Sequence, residues 1–307
     1  MTFIENRSKW TIISVIAFLI IIGMWMPHSL IYGMQRGSLY AVIALPLSLV
    51  LGIMGILNLA HGEFLTIGFY LAYVLSYQFG LDPLVSIVPV TLIMLAIGAI
   101  IHLLTIKRVL DEGHLNQLLL TFGVSMIIIE LIKILFTTRV RNISTPYASM
   151  SVDFGFFKVG AYEFIYLLLA VAIFFGLRLF LKKTRLGQAT FAVGQNPKGA
   201  KIVGINNDFV YLFVFSIGAA MLGIIACIMA PRTSISPMTG NPHSLKSFAL
   251  VAMAGLGNIN GILFAGLILG IGEAVIQGIP GYASWADLVF FGALIAVIMY
   301  KNLWEGR

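Results

Sequence analysis

Charge is scarce in this sequence: only 10% of its 307 residues are Asp, Glu, Lys or Arg, and 12 of them are acidic. A domain folded in water needs a charged surface. Together with 60% hydrophobic residues and a mean hydropathy of +1.00, this shortage excludes an ordinary water-soluble domain. Cysteine is almost missing as well. Cys227 stands alone in an apolar run, which excludes an intrachain disulfide framework and leaves it as a small core residue. No Gly-x-x-x-x-Gly-Lys-Ser/Thr phosphate loop occurs, so the chain is not itself an ATPase of that kind. His61-Gly62-Glu63 lacks metal-ligand spacing such as His-Glu-x-x-His, and no nucleophile and base pair is evident, which argues against an intramembrane enzyme and gives no metal site.

What the chain does have is apolar runs of about 17 to 25 residues, each enough to cross a hydrocarbon core as helix. The runs 11–26, 40–56, 64–77, 84–106, 118–136, 163–181, 209–230, 247–276 and 286–300 predict an all-α polytopic membrane protein. The expectation is about eight transmembrane helices plus re-entrant or broken helices, in a single domain over 1–307 and embedded in the lipid bilayer. The first run is long and lacks a small-x-small cleavage site before Pro27, so it reads as an uncleaved span. The net charge of +7 then marks loops rather than nucleic-acid binding. Lys182, Lys183, Arg185, Lys198 and Lys201 have no acid among them, which places that loop, and by counting outward both termini, in the cytoplasm.

Two glycine-rich interruptions break the apolar pattern. Residues 55–70 put Asn58, His61 and Glu63 between apolar runs, with Gly55, Gly62 and Gly68 permitting bends and close backbone approach. This stretch reads either as a broken helix lining a pathway or as a polar turn at the membrane surface. Gly255-Leu256-Gly257-Asn258-Ile259-Asn260-Gly261 breaks the run 247–276 in the same manner, and its echo of Gly55 to Asn58 suggests a repeat of two broken-helix units. A run that enters and leaves by one face would end the chain on the cytoplasmic side. Glu130 and Lys133 fall three apart and pair on one helix face, in a structural or inter-subunit role. Glu273 has no sequence neighbour to pair with; it can bond the break at Asn258 and Asn260 or meet a substrate's amino group.

Asn196-Pro197-Lys198-Gly199-Ala200 begins a short helix: Asn196 is an N-cap, Pro197 suits the first position and Gly204 the left-handed end. Two turns are marginal alone, so Ala200, Ile202 and Val203 offer an apolar face for packing. By its residues alone this segment is a connector.

Asn58-Leu59-Ala60-His61-Gly62-Glu63, followed by Gly68-Phe69-Tyr70, resembles the Asn-Phe-Ala-His-Gly-Glu and Gly-Ala-Tyr signature of the permease subunits of branched-chain amino acid ABC importers, in particular the LivH type. Gln195-Asn196, Gly199-Ala200 and Gly204-Ile205-Asn206 are similar to the same family's cytoplasmic loop, and Thr121-Phe122-Gly123 and Gly270-Ile271-Gly272-Glu273 resemble further family positions. Lys198 and Gly199 depart from it, standing where glutamate and alanine are usual. The resemblance implies an ABC-importer permease fold whose pathway carries Asn58, His61, Gly62, Glu63, Asn258 and Glu273. It implies an ATPase-coupling loop at about 182–208 through Gln195, Asn196, Pro197, Lys198, Gly199, Ala200 and Gly204. The expected partners are a second, LivM-like permease subunit, two LivG/LivF-like ATPase subunits and an external substrate-binding protein in the bacterial inner membrane. No cofactor is expected on this chain, ATP-Mg being held by the ATPases. The competing class is an ion-coupled secondary transporter, which also suits broken helices at mid-membrane.

Overall fold

The computed structural model describes residues 26–305 except Asp111, Phe154, Phe156, Phe157 and Leu256; residues 11–25 of the expected first span lie outside the described residues. Eleven α-helices occur among the described residues. They are α1 Pro27–Met54, α2 His61–Phe79, α3 Ile87–Leu104, α4 His114–Phe136, α5 Phe164–Lys183, α6 Arg185–Gln195, α7 Pro197–Ile202, α8 Asn207–Met229, α9 Asn241–Ala254, α10 Ile259–Gly278 and α11 Ala286–Glu305. Among the described residues six stretches, Pro27–Met54, Ile87–Arg108, His114–Phe136, Phe164–Lys183, Asn207–Arg232 and Ile259–Gly278, are long and apolar enough to cross a membrane. A small antiparallel hairpin, β1 Ser151–Asp153 with β2 Lys158–Gly160, pairs Val152 with Val159 and marks one end of the bundle. Helices α6 and α7 mark the other.

Helix α1 is the axis of the bundle and packs on α5, α8, α9 and α10. It begins at Pro27, well before the expected residue 40, because tertiary partners satisfy the polar side chains that interrupt its apolar run. Gln35 Nε2 donates to Gly160 O at 3.3 Å, and Arg36 reaches Tyr32, Glu273 and Gln277. At the α6–α7 end Gly55 closes the helix with φ +68°, the left-handed conformation that lets its N–H return to Leu51 O. Gly33 and Gly37 of α1 face Gly266 and Gly270 of α10, so two antiparallel backbones meet through small-xxx-small faces. Helices α3 and α8 meet similarly, with Gly98 against Ala219 and Gly223 against Met94.

Two of the elements, α2 and α9, begin inside the bundle instead of at one of its ends and are termed half-helices for that reason, although α2 runs for 19 residues. After α1 the chain turns back into the bundle, and α2 starts beside Ile43, eleven residues or about 16 Å of helix from the end of α1. After α8, residues 233–240 turn back from the hairpin end, pinned by paired backbone bonds between Arg141 and Ile235 at 2.8 and 2.9 Å. Helix α9 then runs from the bundle's middle to the α6–α7 end, Gly257 turns the chain against Gly52, and α10 returns to set Gly278 beside Ser29. The run expected at 247–276 therefore starts near the bundle's middle, reaches the α6–α7 end and finishes toward the hairpin end. A long helix, a returning loop, a half-helix and a full helix thus occur twice in opposite directions, as α1–α2–α3 and α8–α9–α10. The mate of residues 55–66 in this arrangement is 233–244. The Gly255 to Asn258 break is instead the turn from α9 into α10, so the repeat expected from its resemblance to Gly55 to Asn58 is corrected to a different register.

A Cβ on Gly37 would fall 2.5 Å from Gly266 O, whereas one on Gly272 meets no atom within 4 Å. Gly37→Leu is expected to destabilise the protein by about 1–3 kcal/mol or more, and Gly272→Ala to be nearly neutral. Thermal melting in mild detergent compares the two; equal melting temperatures would count against the α1–α10 packing.

Candidate translocation site

The loop 55–60 owes its shape to local bonds and to one residue of α4. Asn58 Oδ1 accepts from Ala60 N at 3.1 Å and its carbonyl accepts from His61 N at 3.2 Å, a turn that starts α2. Thr121 Oγ1 accepts from Leu59 N at 3.2 Å and sits 3.1 Å from Leu57 O, stapling both strands of the loop. His61 is 3% exposed and its Nε2 lies 2.9 Å from Ile43 O, so Nε2 carries the proton and donates. Pro46, lacking an N–H, interrupts the α1 hydrogen-bond ladder next to this carbonyl.

The N-terminus of α2 meets the N-terminus of α9. Gly62 N donates to Ser244 Oγ at 2.6 Å, and Gly240 N donates to Thr66 Oγ1 at 3.0 Å. Each bond joins a glycine of one half-helix to the hydroxyl four residues further along the other. The carbonyls of Gly62 and Gly240 occupy the space a Cβ would need on the opposite residue, so only glycine permits this approach. Asn58 and Glu63 are buried beside it, and the cavity bounded by Pro46, Asn58, His61 and Phe215 is only about 10 Å³. That volume holds no solute. The structure is closed here.

Asn58, His61, Gly62 and Glu63 are therefore brought together, but Asn258 and Glu273 lie elsewhere. Asn258 is exposed at the α6–α7 end, where Oδ1 accepts from Gly261 N at 3.0 Å to cap α10 and Nδ2 donates to Ala254 O at 3.1 Å. Glu273 is 3% exposed toward the other end and is fully engaged. Lys246 Nζ lies 2.9 and 3.0 Å from its two oxygens, Tyr40 OH donates at 3.1 Å and Arg36 Nη1 stands at 3.4 Å. Lys246 also reaches Asp287 at 3.1 Å and rests over the rings of Tyr40 and Phe290. Two bases thus meet two acids, the arrangement that makes buried charge tolerable in a membrane. Its members come from α1, α9, α10 and α11, so no local sequence pattern announces them. Thr66, Gly240 and Ser244 were likewise invisible as a set, although glycine followed at four by a hydroxyl is common to both half-helices.

At the α6–α7 end Asn196 Oδ1 accepts from Gly199 N at 2.9 Å, Pro197 opens α7 and Gly204 takes φ +86°, as expected. Ala200 is buried, whereas Ile202 and Val203 are 85% and 75% exposed, so the three do not form one packed face. Gln195 ends α6, and Lys198 and Lys201 are exposed. Glu130 and Lys133 pair at 2.7 Å on α4.

The profile of the family described as "Branched-chain amino acid transport system / permease component" matches residues 29–299. The high-affinity branched-chain amino acid transport system permease protein BraD of Pseudomonas aeruginosa is 29% identical, over 89% of this chain and 93% of its own. LivH, the corresponding permease protein of Escherichia coli K12, is 29% identical over 87% of this chain and 91% of its own. The fructose import permease protein FrcC of Rhizobium meliloti is 23% identical over 95% of this chain and 83% of its own. No solved structure matches the chain.

Removing either hydroxyl from the joint leaves a buried N–H unpaired. Ser244→Ala and Thr66→Val are each expected to cost about 1–3 kcal/mol. Unfolding in detergent with increasing denaturant reads the loss; no loss in either variant would show that the two N–H groups find other partners.

Proposed function

This chain belongs to the family of branched-chain amino acid transport system permease components, and from that membership and the geometry above we infer that it is the membrane-spanning subunit of an ATP-driven importer of branched-chain (hydrophobic) amino acids or related small polar solutes. The observation that carries the reading is α7. A six-residue helix, capped at both ends, presents Ile202 and Val203 almost fully exposed beside Lys198 and Lys201. So short a helix holds its shape through caps and neighbours, including the bond from Asn207 Nδ2 to Pro197 O at 2.9 Å. Two apolar side chains held out at the basic end of the bundle are a surface for a protein partner.

In this reading the basic end is cytoplasmic, both termini lie there, and α7 docks on one of two ATPase subunits that hold ATP-Mg. A second permease subunit completes the membrane part and an external binding protein delivers the solute. The closed joint between α2 and α9 is the barrier, and ATP-driven motion at α7 opens it. That motion has a direct route. Helix α6 rests against the end of α1 at Gly194 and Gly52, and Gly52 in turn touches Gly257 at the foot of α9 and α10. Asn58, His61, Gly62 and Glu63 act as the closing element, while Glu273 anchors α9 through Lys246.

Purification of the tagged chain from its native host in mild detergent tests the assembly. The expected result is co-purification of a second hydrophobic subunit and ATPase subunits, with ATP turnover stimulated by a binding protein. A lone, ATP-inert protein that drives uptake from an ion gradient would replace this reading with a secondary carrier. Lys198→Glu is expected to change the ratio of ATP hydrolysed to solute moved and to leave substrate preference alone. An unchanged ratio with altered preference would remove α7 from the coupling role.

A further inference from the structure

Acids are missing from one long part of the chain. Between residues 164 and 272 the only acidic residue is Asp208, and Lys107 neutralises it at 2.9 Å. The same stretch brings Arg178, Lys182, Lys183, Arg185, Lys198 and Lys201 to the α6–α7 end. Two of these cations, Arg178 and Lys182, line a cavity of about 470 Å³ between α5, α6 and the turn from α9 into α10. Phe174, Arg178 and Lys182 follow one another at four-residue spacing on α5, so one stripe of that helix passes from a buried ring to two successive cations. Phe191 of α6 adds a second ring to the wall, and Gln188 and Asn260 add amides.

The depth of this cavity in the bilayer follows from α5, one of the stretches that can span it. Arg178 stands five residues, or about 7.5 Å, before the end of the helix at Lys183, and Lys182 lies in its last turn. Here hydrocarbon gives way to lipid head groups, and long basic side chains reach toward them. Both cations are exposed, and among the described residues neither is paired with an acid. A ligand can therefore reach them, and it carries negative charge. Phe191 is 59% exposed, which asks that another part of the same ligand be apolar. Beside the cationic stripe, Val171, Phe175 and Leu179 form an exposed apolar row that continues along α5 toward the membrane interior. An inorganic anion answers only the charge, and an uncharged lipid only the apolar row. A phospholipid of net negative charge answers both.

We propose that this cavity binds the head group of an anionic phospholipid, with Arg178 and Lys182 facing its phosphodiester and an acyl chain lying along Phe175 and Val171. Gly257 lines the same cavity. A lipid seated there ties α5 and α6 to the turn at the foot of α9 and α10.

The full chain, purified in mild detergent with the subunits that accompany it, is titrated with phosphatidylglycerol and with phosphatidylcholine of the same acyl chains, and bound lipid is counted by native mass spectrometry. Phosphatidylglycerol is expected to fill a saturable site that phosphatidylcholine does not. Arg178→Gln and Lys182→Gln should each weaken that binding about fivefold, whereas Lys183→Gln and Arg185→Gln, outside the cavity, should leave it unchanged. Arg178→Lys, which keeps the charge, should keep most of the affinity, and Lys182→Gln decides the matter if Arg178→Gln does not assemble. Equal losses in the cavity variants and the two outside it would mean diffuse surface attraction and overturn the proposal. So would equal binding of the two lipids. Displacement of the lipid by inorganic phosphate would give the cavity to a soluble anion instead. Loss of an accompanying subunit from Lys182→Gln, with lipid binding unchanged, would give it to a protein interface, and either result overturns the lipid site.

Discussion

Hydrocarbon offers nothing to a free N–H, and this constraint decides the centre of the protein. Two helices begin inside the bundle, where the first-turn donors of each would ordinarily need water or capping side chains from the preceding loop. Here each supplies the other: Gly62 donates to Ser244 and Gly240 to Thr66. The exchange demands glycine at both crossing points and a hydroxyl one turn further on. It also demands that the surrounding long helices bring the two half-helices within reach. The glycine faces of α1 with α10 and of α3 with α8 meet that demand, since larger residues there would force the backbones apart.

The two half-helices are nevertheless held in different ways. Helix α2 is fixed through backbone atoms, by His61 on Ile43 O and by Thr121 on the loop before it. Helix α9 is fixed through side-chain charge, by Lys246 between Glu273 and Asp287. Backbone bonds in a dry setting resist exchange, whereas an ammonium can pass from one carboxylate to another while remaining paired. The two half-helices are thus anchored by different kinds of bond, and α9 leads directly to the turn at Gly257 beside α1.

Much of this was legible beforehand, and the exceptions share a cause. The break after Met54, the capped helix at Asn196 and the Glu130–Lys133 pair depend on residues close in sequence, and local chemistry predicts each. Hydropathy alone begins α1 too late because Gln35 and Arg36 look unfit for a span until Gly160, Glu273 and Gln277, all more than a hundred residues away, are seen beside them. Glu273 looked unpaired for the same reason, its ammonium partner lying on α9. Similar residues do not mark the repeat, because its two copies run in opposite directions and share little more than a glycine and a hydroxyl. Asn258, by its composition a twin of Asn58, is a helix cap exposed at the α6–α7 end. Similar residues do equivalent work only where the surrounding backbone is equivalent.

The meeting of two helix N-termini has an electrical consequence. Each helix carries roughly half a positive charge at its start, and here both starts face one another inside the bundle. A chain of water molecules forming transiently through that point would pass between two positive ends, where a proton or sodium ion is at its least stable. A membrane protein that opens repeatedly for uncharged or zwitterionic cargo must not short-circuit the potential across its membrane. In the import reading proposed above, the same glycines that let the half-helices touch also insulate the gap they close.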